Sequence, residues 1–326
     1  MSHCWVLGSG GLLGQALKRS LAIGGATLFE PMTRLQWDRP VELRTAIAES
    51  VDRFASSNLT RDPWEIYWAA GVGTMNSSES VLKPETLALT VLLETLASNT
   101  RLLDVPGLFA FASSAGAIYA GTPDAIITEA SQPHPTTPYA NEKLLQEQLI
   151  SSVLSGTKSI SCSIARISTI YGSAQTPGKQ QGLISHIARQ IIRNQPIQIY
   201  VPFDTIRDYV LVGDAANQMV CAARFCHSRK QNVIQIIASE RPTTIAEIIS
   251  IFKKMSRRKP RIVTAASVLS SLYSRRIQFQ SIAVPEMTRP AVTPLPIGIF
   301  QVMQAEQTFF ARGQYRSAHR TKADPS

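Results

Sequence analysis

The chain has 326 residues, 44% of them apolar, which supplies a sizeable core and excludes an intrinsically disordered chain. Its four cysteines, Cys4, Cys162, Cys221 and Cys226, follow neither a metal-ligand spacing nor a disulfide framework, and no apolar run is long enough to span a bilayer. The net charge of +10 raises nucleic acid as a partner, but the basic residues are scattered and the densest group, from Lys253 to Arg261, sits on and after one late helix as a solvated face does.

The first predicted strand is Cys4-Trp5-Val6-Leu7. It runs into Gly8-Ser9-Gly10-Gly11-Leu12-Leu13-Gly14, and Gln15 to Ala22 then reads as a helix. Strand, glycine turn and helix start form a corner suited to a dinucleotide. Glycine allows the tight turn and a close backbone approach, and the helix start offers free N–H groups to a pyrophosphate. Further strands are predicted at 26–30, 65–69, 107–112, 159–167 and 233–237, with helices at 41–55, 84–100, 138–154 and 182–194. Such alternation specifies a parallel sheet with helices on both faces, an α/β doubly wound fold. Ligands then bind at the carboxyl ends of the strands, where Gly8, Ala70, Ser114 and Thr169 fall. Residues 173–205 leave the sheet, and 239 onward reads as the rest of a smaller lobe. The expected division is 1–172 plus 206–238 for a dinucleotide domain and 173–205 plus 239–312 for a substrate lobe, with a polar, disordered tail at 313–326.

In Thr137-Pro138-Tyr139-Ala140-Asn141-Glu142-Lys143, Pro138 suits a first helical position. Tyr139 and Lys143 are four residues apart, so they share a helix face. An ammonium near a phenol stabilises the phenolate, which makes a tyrosine useful for proton transfer near neutral pH.

Together these motifs resemble the short-chain dehydrogenase/reductase superfamily, and within it the extended branch of NAD(P)-dependent sugar-nucleotide epimerases and dehydratases. Four more segments are similar to that branch, in its own order along the chain: Trp68-Ala69-Ala70-Gly71, Phe111 to Tyr119, Ala165 to Gly172, and Ile206 to Ala216 with its Arg207-Asp208-Tyr209-Val210 and Asp214. Thr243 to Ile249 looks like a late helix start of the same group. The likeness covers about residues 3 to 255 and implies a Rossmann-type sheet with a smaller, partly discontinuous C-terminal substrate lobe.

The resemblance implies that Tyr139 is the acid/base, that Lys143 holds the cofactor ribose, and that a serine binds the reacting oxygen. Its cofactor contacts would come from Gly8, Ser9, Gly10, Gly11, Leu12, Leu13, Gly14, Thr33, Arg34, Ala69, Ala70, Gly71, Lys143 and Ile167. Met32 occupies the usual acidic place after the second strand, so Thr33 and Arg34 favour NADP, with NAD still open because Asp38 could reach a ribose. The serine departs from the pattern: Ala115 takes the place where UDP-galactose 4-epimerases carry it. Ser114 is the candidate and Ser113 its substitute, although a bulge or turn would be needed for Ser114 to serve, because successive strand residues alternate faces. Gly116-Ala117 replaces the Asp-Glu pair of the 4,6-dehydratases and disfavours elimination. Thr169 stands where an asparagine contacts the diphosphate, and Val201-Pro202-Phe203-Asp204 replaces a Gly-Asp-Gly turn. Ser113, Thr169 and Arg207 are the substrate candidates; Arg207 and Asp208 could equally form a structural ion pair.

His186 reads as a helix-surface residue, His134 as a loop residue near the site mouth and Glu129 as a capping or pairing group. The five histidines show no metal-ligand spacing, and no metal is expected. The expected activity is epimerisation of a nucleotide-activated sugar by reversible hydride transfer, in polysaccharide or glycoconjugate precursor synthesis. Two alternatives stay open: a NADPH-dependent reductase or dehydrogenase of a keto-sugar or other carbonyl, and a dinucleotide-binding sensor or scaffold without turnover. The N-terminus carries no signal-peptide layout, and with the reduced cysteines this predicts a cytoplasmic protein. Its partner would be a small molecule, with no nucleic acid and no membrane. Helices 84–100 and 138–154 are candidates for a homodimer contact of the kind the branch often makes.

Overall fold

The computed structural model describes residues 2–32, 35–58, 62–173, 182–256, 260–264 and 276–313. The N-terminal part alternates strand and helix: β1 (His3–Leu7), α1 (Leu12–Ile23), β2 (Thr27–Phe29), α2 (Pro40–Ser57), β3 (Trp64–Trp68) and α3 (Glu79–Ser98). The short α4 (Thr100–Leu103) leads to β4 (Gly107–Ser114), α5 (Ala115–Ile118), α6 (Pro138–Leu154), β5 (Ile160–Ile167) and β6 (Thr169–Tyr171). There follow α7 (Gly182–Ile192), β7 (Ile197–Ile199), β8 (Ile206–Leu211), α8 (Val212–Ser228) and β9 (Val233–Ile237). The chain closes with β10 (Pro242–Thr244), α9 (Ile245–Met255), β11 (Ile262–Thr264) and α10 (Leu295–Ala311).

Six strands form a parallel sheet in the order β2-β1-β3-β4-β5-β9. The chain steps outward from β1 to β2 and then returns across β1 to β3. That reversal opens a crevice at the carboxyl ends of β1 and β3. Burial on both faces explains the near-continuous apolar strands. Alternate residues of one strand serve opposite cores: Trp5 and Leu7 join Trp64, Ile66 and Trp68 beneath α2, α3 and α6, whereas Cys4 and Val6 pack with α1 and α8.

The expected strands and helices in this part are present, with ends shifted by a few residues; 138–154 and 233–237 match the observed bounds. Beyond the large sheet, β10-β8-β6 form a three-stranded sheet and β11-β7 a parallel pair. A third core joins α7, α9 and α10 through Ile184, Ile187, Ile248, Phe252, Ile299 and Val302. Of the sequence expectations, Thr33, Arg34, residues 257–259 of the basic run, residues 174–181 and 265–275 of the predicted lobe and the tail from 314 lie outside the described residues. No helix among the described residues is long and apolar enough to cross a membrane.

Candidate active site

The glycine corner closes tightly. Gly8 adopts φ +81°, in the left-handed region, and a Cβ there would lie 2.5 Å from Ala69 O and Ala70 N. Gly8 therefore lets the turn after β1 touch the turn after β3. Gly11 N donates to Gly8 O at 2.9 Å, and a Cβ on Gly14 would collide with that same carbonyl. Gly11 is the N-cap of α1 and no side chain caps it, so the first helical N–H groups are left for a ligand. Ser9, Gly10, Gly11 and Leu12 line the accessible side of this corner, while Leu13 and Gly14 are buried beneath it. Ala69 and Gly71 flank it from β3, Ala70 is buried, and Ile167 is buried at the end of β5. The cradle has the shape and free donors that a dinucleotide diphosphate needs. Met32 and Asp38 are exposed beyond β2.

Thr137 starts α6 by accepting a hydrogen bond from Ala140 N at 3.2 Å, and Pro138 occupies the first turn. The buried stripe of α6 then carries Ala140, Lys143, Gln146, Glu147, Ile150 and Leu154. Three polar residues on a core-facing stripe break the usual helix pattern, and such breaks concentrate at functional sites. Tyr139 is half-buried, with Gly73 packed against its ring. Lys143 Nζ lies 5.9 Å from the centre of that ring and 4.9 Å from that of Phe111. It donates to Glu85 Oε1 at 2.7 Å and to Gln146 Oε1 at 3.0 Å.

Beside this helix start is a cavity of about 250 Å³. Its walls include Ser114 at the end of β4, Gly116 and Ala117 of α5, Thr169 after β5, and Arg207 on β8. Met75 also lines it and approaches Thr137 Oγ1 through its sulfur at 3.9 Å, which places the start of α6 at the cavity edge. Ser114 reaches the wall without a bulge: β4 and β5 stay in continuous register through Ser113↔Arg166 and Ser114↔Ile167. Ala115 is fully buried, packed with Ile118 and Tyr119.

Ser113 points elsewhere. Its hydroxyl donates to Glu147 at 2.5 Å, and Glu147 in turn holds Arg166 through contacts of 2.6 to 3.1 Å. Arg166 also donates to Tyr119 Oη at 2.5 Å. Ser113 thus belongs to a buried ionic cluster that ties β4, α6 and β5 together below the cavity. Arg207 donates to the carbonyl of Ile206 at 2.7 Å. Asp208 is buried and accepts from Ser168 Oγ, Ser239 N, Ser239 Oγ and Arg241 N at 2.6 to 3.1 Å. Burial pushes its carboxyl above the ordinary range, and those hydrogen bonds act against the rise.

Residues 4–237 match the family model described as the NAD dependent epimerase/dehydratase family. The chain belongs to this family. Among curated relatives it resembles a putative UDP-glucose 4-epimerase of Methanocaldococcus jannaschii, 31% identical over 144 residues, 44% of this chain and 45% of that one. It also resembles a dTDP-4-dehydro-6-deoxyglucose reductase of Escherichia coli, 32% identical over 118 residues, 35% of this chain and 36% of that one. The chain therefore spans less than half the length of these curated relatives. Its fold matches UDP-glucose 4-epimerase from Thermotoga maritima, solved with UDP-glucose, at a TM-score of 0.75 and 17% identity, covering 95% of this chain and 100% of that one. It matches RMD from Pseudomonas aeruginosa, solved with NADPH, at 0.76 and 20% identity, covering 94% and 99%.

In this epimerase/dehydratase-family chain, other candidates take supporting places. Glu129 accepts from Ile236 N, Ser281 Oγ and Ile282 N at 2.6 to 2.7 Å, which clips the segment before α10 to β9. His134 joins Gly121 O at 2.8 Å in the loop ahead of α6. His186 is half-buried on α7, and its Nε2 has no hydrogen-bond partner. Burial, reinforced by Arg189, pushes its pKa down. The four cysteines are free; burial pushes the thiols of Cys4 and Cys162 up to about 12, so both are held as inert thiols. Among the described residues no group of His, Cys, Asp or Glu could hold a metal.

Sequence reasoning missed Glu85, Met75, Ile277 and Phe279. The last two line the cavity from the segment before α10, which carries no periodic signal. Glu85 falls in the predicted helix 84–100 without any motif to mark it, yet it is buried against Lys143.

Proposed function

We propose that the protein is an NAD(P)-dependent epimerase acting on a nucleotide-activated sugar. The observation that carries this reading is Tyr139 and Lys143 on one face of α6, a helix whose N-cap Thr137 meets the cavity wall at Met75, with a glycine cradle at the adjoining strand ends. Gly8 to Gly14 and the start of α1 would hold the diphosphate, and Lys143 the nicotinamide ribose. The bound nicotinamide would supply a reversible hydride acceptor. Tyr139 Oη would take the proton of the sugar hydroxyl as that carbon is oxidised and return it on reduction. Ser114, on the cavity wall, would hydrogen-bond the reacting oxygen, and Arg207 and Thr169 would face the nucleotide diphosphate. Return of the hydride to the opposite face of the sugar carbon would invert it with no further acid–base pair, which suits the Gly116 and Ala117 of α5, just after β4. The likeness to UDP-glucose 4-epimerases supports a UDP-hexose as the first substrate to try. We assign the dinucleotide to residues 1–172 plus 206–238 and the sugar to 173–205 plus 239–312.

A second reading, net reduction of a keto-sugar with NADPH, is favoured by the similarity to the E. coli reductase and to RMD. The exposed Met32 in place of an acidic residue agrees with NADP. The test pairs titration of the protein with NAD and NADP with incubation on UDP-glucose followed by NMR. Epimerisation gives UDP-galactose without net cofactor consumption, whereas reduction consumes NADPH stoichiometrically with a keto-sugar. Tyr139→Phe should lower turnover by about 10² to 10⁴ while the dinucleotide still binds. Turnover that survives this change sinks the assignment, and binding without turnover on either substrate class points to a sensor.

A further inference from the structure

We infer that Glu85 is a positioning residue, fixing the Lys143 ammonium and through it the nicotinamide ribose; this rests on the reading of the site given above. An ammonium has three donors. Lys143 gives one to Glu85 Oε1 at 2.7 Å and a second to Gln146 Oε1 at 3.0 Å, which leaves one for a ligand. Both members of the pair are nearly inaccessible, with side chains 7% and 4% exposed. A buried ammonium without a counter-charge is costly, so the carboxylate is what lets the Lys143 side chain sit at this depth.

Glu85 is itself fixed from two sides. A Cβ on Gly71 would lie 2.6 Å from Glu85 Oε2, and Gly71 holds φ +151°. The turn after β3, which is also the turn beside the dinucleotide cradle, is therefore shaped around this carboxylate. On the other side Gln146 Nε2 reaches Thr86 Oγ1 at 2.8 Å and Glu85 Oε1 at 3.4 Å, and Thr86 bonds Glu142. The network joins α3 to α6 and gives the lysine a single direction. A lysine held by water alone could present any of its three donors; here two are committed, and the remaining N–H is aimed by the protein.

The experiment uses the full chain with NAD and NADP as probes. Glu85→Gln keeps the shape and removes the charge. It should raise the dinucleotide Kd about ten-fold, the scale of one hydrogen bond to a charged group. The kcat on a UDP-hexose should fall while the sugar KM stays within about two-fold, because the sugar cavity is untouched. In a Lys143→Met background the same change should alter Kd by less than about two-fold, since a residue acting through the lysine has nothing left to act on. Should Glu85→Gln fold poorly, Glu85→Asp carries the test: it keeps the charge, withdraws the oxygen, and should weaken binding only when Lys143 is present. An unchanged Kd in Glu85→Gln overturns the inference, and so does an equal loss in both backgrounds, which would mark Glu85 as merely structural. A wild-type protein that binds neither dinucleotide sinks the site reading itself, together with this inference.

Discussion

Each glycine of the corner does a separate job, and the difference is measurable. Gly14 packs against the Gly8 carbonyl, so Gly14→Ala forces the turn and the helix apart. Overpacking of this kind costs about 1–3 kcal/mol. It should lower the melting temperature and weaken dinucleotide binding in titration. A Cβ on Gly10 meets nothing within 4 Å, so Gly10→Ala should leave the melting temperature of the ligand-free protein unchanged. Equal melting losses for the two variants would refute the packing argument. At this scale sequence spacing went far: Tyr139 and Lys143 share a face because 3.6 residues make a turn. It could not separate Ser113 from Ser114, since alternation gives two faces but not their surroundings. Glu147 and Arg166 draw Ser113 inward, and Ser114 is left on the cavity wall.

Between elements, a few buried carboxylates hold the C-terminal segments in place. Asp214, in the first turn of α8, accepts from Thr293 N at 2.7 Å and Thr293 Oγ1 at 3.1 Å, just ahead of α10. Asp214→Ala leaves those donors without their acceptor, at a cost of about 1–3 kcal/mol. The urea midpoint should fall by a corresponding amount, and protease should cut near residue 293 sooner; an unchanged midpoint would show that the clamp is idle. The long amphipathic elements were legible because burial repeats along them. Helices α8 and α10 were not predicted: one starts directly from the β8 signature, and the other follows a proline-rich stretch with apolar residues on several sides. The three-residue strands β6, β7, β10 and β11 are too short to show any period.

For the molecule as a whole, acid should be destabilising before most carboxylates titrate. Burial pushes the pKa of His3, His186 and His227 below 6.5. Arg189 adds to the fall at His186, whereas Asp62 opposes it at His3 and Glu65 at His227. The unfolded chain then binds more protons than the folded one just below pH 6.5, so stability is whole above that value and is lost as pH falls through the folded pKa values. The melting temperature should drop as pH falls below about 6.5, and His186→Leu should flatten that slope. The same slope in the variant would remove His186 from the account.

By itself the sequence determined the α/β alternation, the family-ordered motifs, the glycine corner and the pairing of phenol with amine on α6. All of these are written in local spacing, which backbone geometry converts directly into shared faces and turns. Only the tertiary structure decided which serine meets the cavity, that Ile277 and Phe279 close it, and that Glu85 grips Lys143 from 58 positions away. Contacts between distant segments depend on how helices settle across the sheet, and no periodicity along the chain carries that information.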